Sequence, residues 1–347
     1  MSPPEGAGFR LAVLNPRGRD PEQHFDRPAT TGRQAHAPVN FHAYAACTSG
    51  SFFRDAQHAV AADMPVLLLL RGDFRESERA LNHLQKSGRT VAVSLKETGV
   101  HQIAEQLADA ARLRRFLQIV HSAQGCIAPT PEAADLYRNI RGADDAVAFI
   151  PTPYPLEDRQ WGFSRPTGER SGIFIGTREW GVPSRNHAAA LFAARQISER
   201  TDTHVTVFNM DGRKGERLLA QIGFRPDRLR VGTRSRPYAE YLRIVAEHRI
   251  VLQKDASFVP GQVAGDALLC RLPCVGGNGA VDRFGHPQTC GAGRTGAELI
   301  ELATRLLVDD EFYNEMIRDS QQHASEQLSF ARVAEQLESF YEAIASK

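Results

Sequence analysis

The chain has 347 residues, enough at roughly 100 to 200 residues per domain for two domains with separate cores. Lys plus Arg total 42 and Asp plus Glu 41, a formal net charge of +1 that gives no field favouring nucleic acid or an anionic membrane surface. Cys47, Cys126, Cys270, Cys274 and Cys290 are scattered without a C-x-x-C pair, so neither a disulfide framework nor a zinc knuckle is indicated and a reducing compartment is expected. The first residues carry no apolar core of signal-peptide length. The longest apolar run, 64–70, is far below the eighteen or so residues that cross a bilayer, so a soluble, cytoplasmic protein without a transmembrane segment is expected.

Short apolar runs alternate with amphipathic stretches along the chain, the pattern of βαβ units on a largely parallel sheet. In chain order the predicted strands are 11–14, 65–70, 91–95, 126–128, 146–150, 172–175, 204–208, 250–252 and 272–275. Most are continuously apolar, which calls for helices on both faces. Residues 16–38, rich in Arg, Pro, Gly and His, read as a mobile loop. Asp73-x-x-Glu76 and Thr295-x-x-Glu298 have capping-box spacing, and Thr130 before Pro131 pairs an N-cap hydroxyl with a proline suited to the first turn. Tyr238, Tyr241, Leu242 and Val245 form one apolar helical stripe, and Leu299, Leu302, Ala303 and Leu306 another. The last helix lines up Phe330, Val333, Ala334, Leu337, Phe340, Tyr341 and Ile344, a face long enough to dock on a domain. Prolines 151, 153, 155 and 166 mark a stiff linker over 152–170. The expected domains are therefore 1–152, joined by the final helix 329–347, and 153–328.

Two segments carry chemistry. The first is Gly176-Thr177-Arg178-Glu-Trp180-Gly-Val-Pro-Ser-Arg185-Asn186-His187, between a strand and an Ala-rich helix. Ligands bind in such loops at the carboxyl edge of a parallel sheet, where two arginines can clamp a diphosphate or simply be solvated loop charges. The second runs from Ser257-Phe258 through Gly261-Gln262 to Asp266 and Cys274. Gly261 stands where a helix begins, offering free N–H groups to an anion. Asp266 can accept from vicinal ribose hydroxyls; the plainer reading is a helix-surface carboxylate or a cap.

From Cys126 onward the chain resembles the GT-B glycosyltransferases of the large retaining group called family 4. Gln124 to Tyr137 with Ile150-Pro151 is similar to the end of that family's first domain. Gly172 to Asn186 resembles its glycine-arginine to lysine-asparagine loop, and the segment 227–252 resembles the one before its donor site. Asp266-Ala-Leu-Leu-Cys-Arg-Leu-Pro-Cys-Val resembles its glutamate-alanine to glycine-x-proline-valine-valine motif, and Gly276-Gly-Asn-Gly-Ala-Val-Asp282 continues the likeness. It spans about 220 residues and is strongest over 172–345.

The resemblance implies an α/β chain of two Rossmann-like domains facing across a cleft, with the C-terminal helix crossing back to the first. It implies a metal-independent, retaining transfer of a hexose or deoxyhexose from a nucleoside-diphosphate sugar to an acceptor, with no cofactor beyond the donor. The first domain would face the acceptor and the second would bind the donor. By the same resemblance Arg178 and Arg185 bind the diphosphate, Arg185 replacing the usual lysine two residues late, and Gly176, Thr177, Asn186, Gly261 and Gln262 line the site. Asp266 falls at the second acid of the E-x7-E motif, and Phe258 occupies the first. A phenylalanine cannot accept hydrogen bonds from sugar hydroxyls, which disfavours a common hexose donor and leaves a nucleotide- or glycan-binding protein without turnover as the rival reading. Relatives often keep a histidine facing the reacting carbon near the third predicted strand, which points to His101 or Glu97 for polarising an acceptor hydroxyl; a surface loop is the plainer reading.

Other spellings carry nothing. Arg71-Gly72-Asp73 ends a buried strand, the glycine clusters at 276–279 and 291–296 lack the Gly-Lys-Ser/Thr of a phosphate loop, and Cys270 and Cys274 lack partner histidines.

Overall fold

In a computed structural model, residues 8–26, 36–142, 146–176 and 180–346 are described. Two compact units emerge, one of Met1–Pro155 with Ser329–Lys347 and one of Leu156–Leu328.

The first unit is built on strands β1 (Ala12–Leu14), β2 (Gln23–His24), β3 (Ser51–Phe53), β4 (Val66–Leu70), β5 (Val91–Leu95), β6 (Gly125–Ala128) and β7 (Val147–Phe149). They form a sheet in the order β2-β3-β1-β4-β5-β6-β7, with β2 antiparallel to β3 and the other pairings parallel. Its helices are α1 (Phe41–Cys47), α2 (Ala56–Ala61), α3 (Arg75–Lys86), α4 (Val100–Leu107), α5 (Ala110–Ser122) and α6 (Pro131–Arg141). Successive strand residues point to opposite faces, and each face is covered. Ala12, Leu14, Leu68, Leu70 and Val93 share one core with Leu81, Phe116 and Tyr137 of α3, α5 and α6. Leu11, Val13, Leu67, Leu69 and Ala92 enter the opposite core with Tyr44 of α1. Val333, Leu337, Tyr341 and Ile344 close that second core, so the last helix of the chain packs on the first unit.

The second unit has β8 (Ile173–Ile175), β9 (Val205–Phe208), β10 (Leu229–Gly232), β11 (Ile250–Leu252) and β12 (Cys274–Val275), all parallel, in the order β10-β9-β8-β11-β12. Its helices are α7 (His187–Thr201), α8 (Arg213–Ile222), α9 (Tyr238–Val245), α10 (Gln262–Leu269), α11 (Ala280–Gly285), α12 (Gly296–Val308) and α13 (Asp310–Leu328); α14 (Phe330–Ala345) is the last helix of the first unit. Buried Arg170 fastens the proline-rich entry to this unit, donating to the carbonyls of Arg165 (2.9 Å) and Arg271 (2.6 Å) and to the Tyr313 hydroxyl (3.0 Å).

The nine apolar runs all became strands. Strands β3 and β10 lacked such a run, being a three-residue Ser-Phe-Phe and a half-exposed edge respectively. Within 16–38, β2 forms where a loop was expected, and residues 27–35 lie outside the described ones. The capping box at Asp73 does not form either. Phe74, at φ 64°, is the N-cap of α3, while the Asp73 carboxylate accepts from the Arg75 N–H instead. Thr295 and Glu298 do form the reciprocal box on α12, and Thr130 caps α6 ahead of Pro131.

Candidate functional site

The strand order of the second unit reverses between β8 and β11, and α/β sheets take ligands at the carboxyl ends of the strands flanking such a reversal. Gly176 leaves β8 there. A Cβ on it would lie 2.1 Å from a Val263 methyl, so only glycine lets this strand end approach the first turn of α10. Thr177 and Arg178 lie outside the described residues. A 3-10 turn, Pro183–Arg185, then delivers Asn186 in a left-handed conformation (φ 49°) as the N-cap of α7.

Arg185 forms an ion pair with Asp255, just past the end of β11. Side-chain exposures of 17% and 6% make this a largely buried pair. The other Asp255 oxygen accepts from the Ser257 N–H at 2.8 Å. Ser257 Oγ donates to Ser184 Oγ (2.8 Å), the Ala256 N–H to the Ser184 carbonyl (2.9 Å), and Asn186 Nδ2 to the Lys254 carbonyl (3.0 Å). The loops after β8 and β11 are thus laced together around the arginine. Lys254 is half-buried there, and burial pulls its ammonium below the usual lysine range.

Gly261, at φ 95°, is the N-cap of α10, and Gln262 is its first residue. Beneath this turn lies Asp282 of α11. Its carboxylate accepts from Gln253 Nε2 at 2.7 Å and from the Gly279 N–H. Glycines make the room: a Cβ on Gly277, Gly279 or Gly261 would come within 2.1, 2.8 or 3.0 Å of an Asp282 carboxylate oxygen. Burial and then the nearby Asp255 charge push the Asp282 carboxyl up to about 7. The glycine-rich stretch dismissed as a phosphate loop serves to enclose an acid.

Phe258 has φ 51° and donates its N–H to Asn278 Oδ1 at 3.1 Å. Its half-buried ring lies under the Arg283 guanidinium, 5.5 Å away, rather than in the core beside the sheet. Asp266, one turn into α10, is 1% exposed and accepts from the half-buried Tyr238 hydroxyl at 2.5 Å, so it is no helix-surface carboxylate.

In the first unit, Glu97 is exposed and its carboxylate accepts from Gln102 Nε2 (3.2 Å), while Gln102 Oε1 takes the Gly99 N–H (3.1 Å) at the start of α4. Half-buried His101 is the second residue of that helix. Nearer the strand ends stand Asn15, Asp20 and Lys96. Asn15 Nδ2 lies 3.4 Å and Lys96 Nζ 3.8 Å from an Asp20 oxygen. Arg17, two residues after Asn15, is exposed and pairs with Glu76 at 3.1 Å.

The structure therefore ties Arg185 and Asn186 of the loop after β8 to the loop after β11, which runs on through Phe258 to Gly261, Gln262 and Asp266, and adds four residues that pattern reading missed: Gln253, Lys254, Asp255 and Asp282. Their signal was a run of polar residues directly after a buried strand, and a glycine cluster ending in an acid.

No protein-family model matches the chain, and no curated protein matches it in sequence. Solved structures do share its backbone. HepE from Anabaena in complex with UDP superposes with a TM-score of 0.65 at 13% identity, over 98% of this chain and 100% of that one. Sucrose-phosphate synthase from Thermosynechococcus elongatus gives 0.63 at 14% identity, covering 97% and 99%. The α,α-trehalose 6-phosphate synthase from Burkholderia multivorans gives 0.61 at 9% identity, covering 98% and 99%. The fold is GT-B. At these identities the likeness is one of fold, and no helix among the described residues is long and apolar enough to cross a membrane.

Proposed function

We propose that this GT-B chain is a glycosyltransferase that moves a sugar from a nucleoside-diphosphate donor to an acceptor, with the donor held by the second unit. The observation that carries the reading lies at the reversal of the β8–β11 strand order, where Gly176 at the end of β8 packs on Val263 in the first turn of α10 and Arg185 of the same loop pairs with Asp255 in the loop that leads to α10. HepE, which shares the fold, has been captured with UDP-glucose, with UDP, and with UDP and glucose.

In the transfer the sugar's anomeric C–O bond breaks and charge grows on the departing diphosphate. Arg185 meets that charge from the β8 side, and the first N–H groups of α10 at Gly261-Gln262 meet it from the other, a preorganised electrostatic arrangement that needs no metal ion; Arg178, outside the described residues, is proposed as a further diphosphate ligand on the family 4 resemblance alone. Asn186 fixes the β8 loop to the Lys254 carbonyl and so sets where Arg185 starts. Tyr238, anchored by Asp266, presents the polar edge for the ribose. His101 is the group proposed to polarise the acceptor hydroxyl, with Glu97 holding the start of α4 through Gln102. Retention of configuration, as in family 4, belongs to the same proposal.

Phe258 favours a second reading, a nucleotide- or glycan-binding protein without turnover, because it stands where family 4 places a sugar-binding acid. Incubation with a panel of nucleotide sugars and candidate acceptors separates the two. Release of nucleoside diphosphate with a glycosylated product supports the transferase; tight nucleotide binding with no release from any donor supports the binder.

A further inference from the structure

Two carboxylates are enclosed here, Asp255 just past β11 and Asp282 on α11, and the Arg185 guanidinium is paired with the first of them. Arg185 is paired with Asp255, whose side chain is 6% exposed, while Asp282, 2% exposed, is held by neutral donors: Gln253 Nε2 and the Gly279 N–H. Among the described residues no cation is in contact with the Asp282 carboxylate. From β12 the Cys274 thiol stands 3.9 Å from Oδ1. From the loop after β11 comes Asp255, which raises its proton affinity. On α10, Asp266 is committed to Tyr238. On its own helix, Arg283 is turned over the Phe258 ring and the His286 ring faces the Ala264 carbonyl at 3.1 Å. The two acids are also tied to one scaffold: the Asn278 N–H donates to the Asp255 carbonyl (3.1 Å), and the Ala280 and Val281 N–H groups donate to the carbonyls of Val259 and Pro260 (both 2.9 Å).

A diphosphate and Asp255 are competing partners for Arg185. Drawing the arginine toward the ligand leaves two enclosed carboxylates that feel each other's charge without a cation, where keeping both ionised is costly and protonating one is the cheapest relief. We infer that Asp255 and Asp282 are positioning residues for Arg185, and that a diphosphate which takes Arg185 from Asp255 makes this acid pair take up a proton from solvent. The inference rests on the donor reading above and adds to it a coupling between nucleotide binding and pH. Asp255 parks the arginine while the site is empty. Asp282 carries the proton that lets the arginine leave.

Calorimetry of UDP binding at pH 8 in buffers of different ionisation heat counts the protons, the terminal phosphate being fully ionised there. The expected count for wild type is about half to one proton taken up, falling toward zero by pH 6 where Asp282 is already protonated. Asp282→Asn should bind UDP with the count at pH 8 reduced to a small fraction of that. In the ligand-free protein, Arg185→Gln should raise the midpoint of the Asp282 carboxyl titration, followed by carbon NMR, by about a pH unit or more. UDP bound with no proton uptake, or an Asp282→Asn count equal to wild type, overturns the coupling and leaves the donor reading standing. An Asp282 midpoint unmoved by Arg185→Gln overturns it without reference to UDP. Failure of wild type to bind UDP removes the donor reading and the inference together. Should either variant fail to fold, the wild-type proton count decides.

Discussion

Phe258 sits in a left-handed conformation at φ 51° with Arg283 over its ring, an arrangement that exposes an apolar face beside the proposed donor site. An aromatic face suits a deoxy or otherwise less hydroxylated sugar, whereas a site built to accept from hydroxyls discriminates strongly in their favour. Phe258→Glu places a carboxylate within reach of the same guanidinium, so the variant should fold with a melting temperature near that of wild type and shift its donor preference toward a fully hydroxylated hexose. A folded variant with an unchanged donor profile contradicts this role.

Arg185 is paired with Asp255 and is proposed to bind the diphosphate as well, and a double-mutant cycle separates the two roles. Arg185→Ala leaves Asp255 buried without its cation, which costs about 3 kcal/mol or more of stability in addition to any loss of turnover. Adding Asp255→Asn should restore most of the melting temperature while turnover stays down by roughly two to three orders of magnitude, the cost of losing a charge-stabilising donor. Recovery of turnover along with stability would show that Arg185 only neutralises Asp255.

At the scale of elements, α14 is the clearest case of a helix placed by its stripe. Val333, Leu337, Tyr341 and Ile344 fall at i, i+4, i+8 and i+11 and cover the sheet face made by Leu11, Val13, Leu67 and Leu69. Burying side chains of this size is worth about 2 kcal/mol each. Ending the chain after Leu328 should therefore unfold or aggregate the first unit. Full solubility and an unchanged thermal transition in the shortened protein would show α14 to be dispensable. The stripe and the strand runs were legible because continuous burial leaves a periodic mark in sequence. Gly261 and Arg185 were legible for a related reason, standing at the junctions where a strand gives way to a helix. Asp255 and Asp282 were not. Whether a carboxylate is solvated or enclosed depends on β11 pairing with β12, which brings together loops more than twenty residues apart, and no local pattern encodes that meeting. Phe258 illustrates the converse: its identity was legible as a departure from the family 4 motif, but its partner Arg283 came only with the fold.

Across the whole molecule, buried titrating groups set the response to acid. Burial lowers His42 to about 3, with His36 adding to the shift, and lowers His187, His248 and His286 to about 4. A histidine with a depressed folded value stabilises above its unfolded value of about 6.5, and that contribution is lost as pH falls toward the folded value. Asp282 runs the other way. Its folded value is raised to about 7, so its contribution is complete below the unfolded value of 3.8 and is lost as pH rises to 7. Four histidines outweigh one carboxyl, and unfolding near pH 5 should take up about two to three protons. Stability measured by denaturant titration should accordingly fall steeply between pH 6.5 and 4.5; a flat profile there would contradict the burial of these imidazoles. Asp282→Asn should be relatively more stable than wild type at pH 8 than at pH 5.

The proposed function places a nucleoside diphosphate at the carboxyl ends of β8 and β11. A crystal structure of the chain with UDP tests it most directly. The terminal phosphate is expected within hydrogen-bond distance of Arg185 and of the first N–H groups of α10, with the ribose toward Tyr238. UDP seated elsewhere on the protein, with Arg185 still paired to Asp255 and the start of α10 without phosphate, would contradict it.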